Sequence, residues 1–181
     1  MSFTVLGDIP RASGYAFEFV DRQVQAPDGT TFSRNLVAHV GAVAVLPVDR
    51  DGTVHLLRQY RASFDRYLLE MPAGLRDIAN EDLEQAARRE LEEEVGLRAD
   101  ELIFLGCVAN SSGFTNQRTW LYLGLGLHHV DASPDGVEEQ FIERCTMELG
   151  ELLQYSDPLG TDVTLLLAAH LAHQYLERRG D

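Results

Sequence analysis

The sequence predicts an α+β fold, in which short strands surround one acidic helix and a strongly apolar helix follows later in the chain. Two observations lead to this prediction. Segments that alternate apolar and polar residues, typical of strands, recur before and after residues 81–95. Helical spacing of apolar residues marks residues 81–95 themselves and, more strongly, residues 162–179. Helices inserted between and after strands favour an α+β sandwich over a regular βαβ alternation.

The composition bounds the functions that the chain can perform. Its 181 residues, 45% hydrophobic and 24% charged, are enough for one globular domain with a small extra lobe. The formal net charge is -14, and all 15 basic residues are arginine. Such an acidic chain is a poor general binder of nucleic acid or of an anionic membrane. No secretory signal is recognisable, and Cys107 and Cys145 form no CxxC motif, so we expect reduced core thiols in the cytoplasm.

The first half of the chain is predicted to be strands. Residues 1–37 are expected to form an N-terminal β lobe, because apolar alternation flanks the turn "APDGT" and indicates a hairpin. The segments "GAVAVLPVD" and "VHLLRQYR" predict a second hairpin around Asp51 and Gly52. "YLLEMPAG" predicts a short strand that Pro72 and Gly74 terminate. We expect residues 38–181 to form the main domain.

The acidic helix is predicted over residues 81–95. Asn80 is expected to cap its start and Gly96 its end. Its buried stripe is predicted to consist of Leu83, Ala86, Ala87, Leu91 and Val95. Strands are then expected at "LIFLGCVAN" and "TWLYLGLGL", a short helix at "ELGELLQ" and the apolar helix at residues 162–179.

The acidic helix carries a dense group of carboxylates. Each helical residue advances about 100°, so Glu90 and Glu94 lie about 40° apart in projection and Glu93 about 60° to the other side. All three can therefore face one cleft, whereas Glu92 points elsewhere. Such hard oxygen ligands suit Mg²⁺, or Mn²⁺, which retains waters that a phosphate can replace. Arg89 could orient one of these carboxylates. The alternative is a solvated acidic face.

The same helix resembles the signature of the Nudix hydrolases. That signature is a glycine, five residues, a glutamate, seven residues and then Arg-Glu-aliphatic-x-Glu-Glu-x-Gly-aliphatic. Glu81 and "RELEEEVGL" match it completely, but six residues separate Gly74 from Glu81, and Leu75 occupies the strict glycine position. The segments "LLRQYR", "LLEMPAG" and "SSGFTNQRTWLYL" resemble the ADP-ribose pyrophosphatase branch over roughly residues 38–170. The position after "FTN", often glutamate in the family, is Gln117.

The resemblance implies a Nudix-type α/β/α sandwich with a mixed sheet, and Mg²⁺-dependent hydrolysis of ADP-ribose or a related nucleoside diphosphate sugar. GDP-mannose, another nucleotide sugar or a dinucleotide is the alternative substrate, and a non-catalytic nucleotide sensor is a weaker one. Relatives of this branch imply a homodimer in which the N-terminal lobe crosses to the partner. No nucleic-acid or membrane partner is expected.

The resemblance also implies roles for individual residues. The implied metal ligands are Glu90, Glu93, Glu94 and the carbonyl of Ala73. Arg89 would hold a signature glutamate in place, with Glu81 in a structural role. Arg58 and Arg61 are the implied contacts to phosphate or ribose, and Gly113 and Phe114 would shape the substrate loop. The general base is implied to come from a late acidic loop, where Glu139 is favoured over Glu138, and Glu143 is a poorer third. Tyr15, Phe17 and Phe19 could stack on a base, although packing is the stronger interpretation.

Overall fold

The computed structural model describes residues 2–131, 139–155, 157 and 160–180. Within these ranges the chain forms ten strands and three α-helices. The strands are β1 (Thr4–Ser13), β2 (Phe17–Gln25), β3 (Thr31–His39), β4 (Ala42–Pro47), β5 (Thr53–Arg61), β6 (Arg66–Glu70), β7 (Ala73–Leu75), β8 (Leu97–Ala109), β9 (Arg118–His129) and β10 (Glu143–Glu148). The helices are α1 (Leu83–Val95), α2 (Leu149–Leu152) and α3 (Val163–Arg179), and a 3-10 turn, Glu139–Phe141, precedes β10.

The N-terminal sheet is antiparallel, in the order β1-β2-β3. The predicted hairpin of β2 and β3 is confirmed, and its turn is closed by the Ala26 N–H donating to the carbonyl of Thr30. The strand β1 was not expected. Its pairing with β2 shifts register after Val5 and again after Pro10, so the apolar alternation that would have revealed it is interrupted twice.

The prediction that β4 and β5 pair as a second hairpin is wrong. A turn does form, since the Asp49 N–H donates to the Thr53 carbonyl and the Gly52 N–H to the Asp49 carbonyl. After one bridge between Val48 and Val54, however, the two strands separate. The strand β4 enters a four-stranded sheet of order β7-β4-β9-β8, whereas β5 lies in a three-stranded sheet of order β10-β5-β6.

The four-stranded sheet is mixed and covered on both faces. β4 runs parallel to β9 and antiparallel to β7. Val43 and Val45 of β4 pack with α1, while the alternate residues Ala44 and Leu46 belong to the core that includes α2 and α3. Because successive strand residues point to opposite faces, one apolar strand serves two helical layers. The predicted α+β class and sandwich are confirmed.

The start of α1 differs from the prediction. Asp82, not Asn80, is the N-cap: its carboxylate accepts from the Gln85 N–H at 2.8 Å, and the Gln85 side chain accepts from the Asp82 N–H at 3.4 Å. Asn80 instead adopts the left-handed conformation with φ 66° in the preceding loop. The C-terminal cap at Gly96 is confirmed, with φ 67°.

Two further observations concern the rest of the chain. Cys145 is half-buried, but Cys107 on β8 is exposed, so the expectation of two core thiols is wrong for Cys107. Among the described residues, no helix has the length and apolar character that crossing a membrane requires. The division of the chain at residues 37 and 38 stays a prediction, although the N-terminal sheet ends close to it at His39.

Candidate active site

A cleft of about 610 Å³ opens where α1 meets the β5–β6 hairpin, β7, the start of α3 and the N-terminal sheet. Its wall contains more negative than positive groups. The two guanidinium groups are those of Arg61 and Arg89, and the six carboxylates are those of Glu70, Asp77, Glu90, Glu93, Glu94 and Asp162. An anionic substrate entering this cleft therefore needs an additional cation beside the carboxylates.

The helix α1 places the predicted carboxylates in the cleft. Glu90 and Glu94 are only 7% and 5% exposed, although both are acidic residues on a surface helix. An oxygen of Glu94 accepts a hydrogen bond of 2.8 Å from the Ala73 N–H on β7. Buried carboxylates on neighbouring helical turns cost free energy unless they are paired, so their presence here indicates a site rather than a solvated face.

The residue opposite Glu90 is Gly74, and it leaves no room for a side chain. A Cβ built on Gly74 would lie 2.0 Å from both Cδ and Oε1 of Glu90 and 2.3 Å from Oε2. Any larger residue at position 74 would therefore displace the Glu90 carboxylate, which occupies the space next to the Gly74 backbone. Although the spacing to Glu81 is one residue longer than in the signature, Gly74 and not Leu75 makes this contact with the helix.

Arg89 connects two carboxylates of α1 with that of Glu81, which precedes the helix. Its Nε lies 3.0 Å from Oε1 of Glu81, while Nη1 lies 2.9 Å from Oε2 of Glu93 and 2.5 Å from Oε1 of Glu90. Burial acts to lower the pKa of Arg89, but the hydrogen bond to Glu81 and the charges of Glu90 and Glu93 outweigh it and raise that pKa. Arg89 therefore stays charged and holds Glu81, Glu90 and Glu93 together.

Glu92 lies outside this group, as its helical angle predicted. Both its oxygens accept hydrogen bonds from Arg98, at 2.8 and 2.9 Å. This bond to Arg98 lowers the pKa of Glu92, which is therefore ionised but engaged away from the cleft. It offers a natural control for the neighbouring carboxylates, because it shares their helix and their charge.

The two candidate arginines of β5 point in opposite directions. Arg61 lines the cleft and donates from Nε to Glu70 at 2.7 Å, with a second bond from Nη2 to the same carboxylate. The hydrogen bond to Glu70 raises the pKa of Arg61, aided by the charges of Glu94 and Asp162. Arg58 is three residues away and therefore on the other face of the strand, exposed and opposite Glu143 of β10. Arg58 is not part of the cleft wall that the structure describes.

The other predicted residues occupy varied places. Gly113 and Phe114 belong to the exposed loop that joins β8 to β9, and this loop is tied to β3 by the Val37 N–H donating to the Phe114 carbonyl. Neither is among the residues that line the cleft, whereas Gln117 is. Glu138 lies outside the described residues. Glu139 begins the 3-10 turn before β10, and its side chain also lies outside the description.

Several cleft residues were not predicted. Glu70, the partner of Arg61, is 7% exposed at the end of β6, and its acidic side chain in the apolar run "LLEMP" was the available signal. Tyr15, for which stacking on a base was the weaker interpretation and packing the stronger one, is 93% exposed and lines the cleft from the turn between β1 and β2. Asp162 and Thr164 arrive from the start of α3, where the Asp162 carboxylate accepts from the Thr164 N–H at 2.7 Å. Only the tertiary fold brings these residues to α1.

The donor set fits a divalent cation that keeps part of its hydration. Within the parts of the chain that the structure describes, no group of three or more His, Cys, Asp or Glu side chains is positioned to hold a metal ion. Mg²⁺ does not require such a group, since one or two carboxylates, waters and substrate phosphates complete its octahedron. Glu90 and Glu94 supply hard oxygens at one wall of the cleft, and Glu93 is next to them. The fold and the site together have the features that metal-assisted hydrolysis requires.

Comparison with known proteins agrees with this class. Residues 38–164 match the NUDIX domain. The chain is 37% identical over 138 residues to the ADP-ribose pyrophosphatase of Mycobacterium tuberculosis, covering 76% of this chain and 64% of that relative. It is 33% identical over 143 residues to the methanol dehydrogenase activator of Bacillus methanolicus, covering 79% and 77%. The chain therefore belongs to the Nudix family, whose hydrolases generally use divalent metal ions.

A solved structure supports the fold over the whole length. The crystal structure of an ADP compounds hydrolase has a TM-score of 0.82 to this chain, covering 99% of this chain and 97% of the other. The two sequences are 22% identical, so the likeness concerns the architecture. The structural match includes the N-terminal residues that the match to the NUDIX domain leaves out.

Proposed function

We propose that this chain hydrolyses the pyrophosphate bond of ADP-ribose, or of a related nucleoside diphosphate sugar, to a nucleoside monophosphate and a sugar phosphate. The observation that carries the proposal is the pair of buried carboxylates, Glu90 and Glu94, held against the backbone of Ala73 and Gly74 in a cleft that also contains Arg61 and Arg89. The name of the M. tuberculosis relative supports ADP-ribose as the first substrate to test.

The cation is proposed to be Mg²⁺, with Mn²⁺ as the alternative. When bound, it would neutralise charge on the phosphate oxygens and acidify the attacking water. Glu90 and Glu94 would be its main ligands, with Glu93 and the carbonyl of Ala73 completing the ligand set. Arg89 contributes by position, because it fixes Glu90 and Glu93 through its own ion pairs. A preformed carboxylate arrangement costs little reorganisation when the substrate arrives.

Arg61 is the proposed contact to the diphosphate. Glu70 accepts two hydrogen bonds from its guanidinium and so fixes the plane of that group at the cleft wall. The remaining N–H groups can donate to phosphate or ribose oxygens. Gly113 and Phe114 retain their proposed role in shaping the substrate loop. We no longer propose Arg58 as a phosphate contact, because its side chain lies on the opposite face of β5 from that of Arg61.

The general base is proposed to be Glu139, with Glu138 as the alternative. Hydrolysis transfers a water oxygen to one phosphorus, breaks the bond from that phosphorus to the bridging oxygen and leaves a proton for a base to accept. The strand β10 pairs with β5, and the 3-10 turn Glu139–Phe141 that precedes it contacts the same strand, which carries Arg61. Glu143 is exposed, opposite Arg58, and is the weaker candidate.

We also propose that the protein is a cytoplasmic homodimer. Large apolar side chains of the N-terminal lobe lie in solvent, and the exposed members are Phe3, Val5, Leu6, Ile9, Phe17 and Phe19. A second copy that covered this sheet would bury them, as the expected crossing of the lobe requires. Sedimentation of the wild-type chain and of an Ile9→Asp variant tests this, and a wild-type monomer at micromolar concentration would contradict it.

The activity is tested by product analysis with a substrate panel. Purified protein is incubated with Mg²⁺ and, separately, ADP-ribose, GDP-mannose, UDP-glucose and NADH. AMP and ribose 5-phosphate from ADP-ribose, lost in a Glu94→Gln variant, are the expected products. Cleavage of a different member would change the substrate and keep the mechanism. Binding without turnover of any member would contradict hydrolysis and favour a nucleotide sensor.

A further inference from the structure

A second cavity adjoins the active-site cleft at His39, which lines both, and lies mainly on the other face of β9. Thr119 lines the cleft, while its neighbours Arg118 and Trp120 line the second cavity, because successive strand residues point to opposite faces. Its walls, which define the Trp120 cavity, are Arg22, His39, Val40, Gly41, Asn116, Arg118 and Trp120. The volume of about 360 Å³ is within the range of small-molecule sites, roughly 300–1,000 Å³.

The charge of this cavity is opposite to that of the cleft. Among the described residues, no carboxylate lines it, although the chain carries 29 acidic residues and a net charge of -14. Arg22 is neutralised by Asp8, to which it donates at 2.7 and 2.8 Å. Arg118 is exposed, and within the described part of the chain its guanidinium has no hydrogen-bond or ion-pair partner. The cavity therefore presents one uncompensated cation.

Polar and aromatic groups surround that cation. Asn116 uses its amide oxygen to accept from the His39 N–H at 2.8 Å, which leaves its NH₂ group as a donor. The guanidinium carbon of Arg76 lies 4.6 Å from the centre of the Trp120 ring. This stacking fixes the indole, and Gly41 permits its close approach, since a Cβ on Gly41 would lie 2.7 Å from Cζ3 of Trp120.

We propose that the Trp120 cavity is a second ligand site, distinct from the site of the α1 carboxylates, that binds a nucleoside monophosphate. Arg118 and the Asn116 amide donate to the phosphate, and the indole of Trp120 contacts the base. Arginine donors with a fixed aromatic ring are the groups that recognise a phosphate and a planar base. A single small anion is favoured over a nucleic acid because the acidic surface around the cavity repels a polyanion.

The chain provides its own probe, because Trp120 is its single tryptophan. Trp120 fluorescence is measured during titration with AMP in the presence of EDTA, so that no divalent-ion-dependent hydrolysis takes part. A saturable change is expected in the wild type. Arg118→Gln should weaken apparent AMP binding roughly ten- to hundredfold, as loss of a charged hydrogen bond predicts. Arg50→Gln, the same charge change in the exposed β4–β5 turn, should stay within about twofold.

Two further measurements show which part of the ligand each residue binds and which of the two cavities holds it. Adenosine and inorganic phosphate should each bind at least about tenfold more weakly than AMP. Equal binding of adenosine would overturn the role of Arg118, and equal binding of phosphate would overturn the role of Trp120. A fluorescence change that survives Arg118→Gln but is lost in Arg61→Gln would place AMP in the cleft and overturn the proposal. No fluorescence change with millimolar AMP would overturn it as well.

Discussion

Replacing Gly74 by alanine should stop catalysis while the fold survives. The added Cβ would lie 2.0 Å from Cδ of Glu90, whereas non-bonded carbon atoms keep about 3.5–4.0 Å. The carboxylate must therefore move by roughly 1.5 Å. A displacement of about 1 Å in a catalytic group can cost about a hundredfold in rate, so we expect kcat to fall by at least that factor. The group that moves ends a flexible side chain, so the free energy of unfolding should change by only about 1–2 kcal/mol.

The assay compares kcat and thermal unfolding of Gly74→Ala with those of Gly150→Ala, measured on the substrate that the wild type cleaves. Gly150 lies in α2, and a Cβ there meets no heavy atom within 4 Å. The control should therefore keep wild-type activity and lose no stability. A Gly74→Ala enzyme with kcat within about threefold of the wild type would show that the position of Glu90 does not set the rate.

Three more predictions follow from α1 and from the cleft. Asp82→Ala should lower the free energy of unfolding by about 1 kcal/mol in urea denaturation, whereas Asn80→Gly should be tolerated, because the cap is at 82 and residue 80 has a positive φ. Arg89→Met should cost about 3 kcal/mol in the same assay, since it leaves carboxylates uncompensated, and an unchanged stability would contradict the network. Burial lowers the pKa of His39 in the folded protein. As the pH falls, the His39 imidazole is therefore protonated in the unfolded chain before it is protonated in the folded one. Stability should therefore be complete above about pH 6.5 and fall as the pH drops through the folded pKa, with a flatter profile in His39→Asn.

The catalytic helix could be predicted because its information is local. The helical repeat alone places Glu90 and Glu94 on one face and turns Glu92 away, and the structure agrees on each. The cap was assigned two residues too early. Both Asn80 and Asp82 are good capping residues, and the choice depends on the loop before α1, where Asn80 takes a left-handed conformation.

Strand partners could not be predicted in the same way. A turn between β4 and β5 was correctly located, but the sequence does not reveal that β9, some 70 residues later, pairs with β4 in parallel. The alternation of side chains along β5 likewise puts Arg58 and Arg61 on opposite faces, but it does not show which face meets the cleft. The pairing of Arg61 with Glu70 and the presence of Tyr15 in the cleft depend on contacts between sheets.

Divalent-ion binding by single-charge variants of α1 tests most directly whether Glu90 and Glu94 hold the metal. Free Mn²⁺ is measured by electron paramagnetic resonance during titration of the wild type and of Glu90→Gln, Glu94→Gln and Glu92→Gln. We expect the variants at 90 and 94 to bind Mn²⁺ roughly ten- to hundredfold more weakly. The variant at 92, whose carboxylate is hydrogen-bonded to Arg98, should match the wild type. Equal weakening by all three would show that only the total charge of the helix matters and would contradict the assigned site.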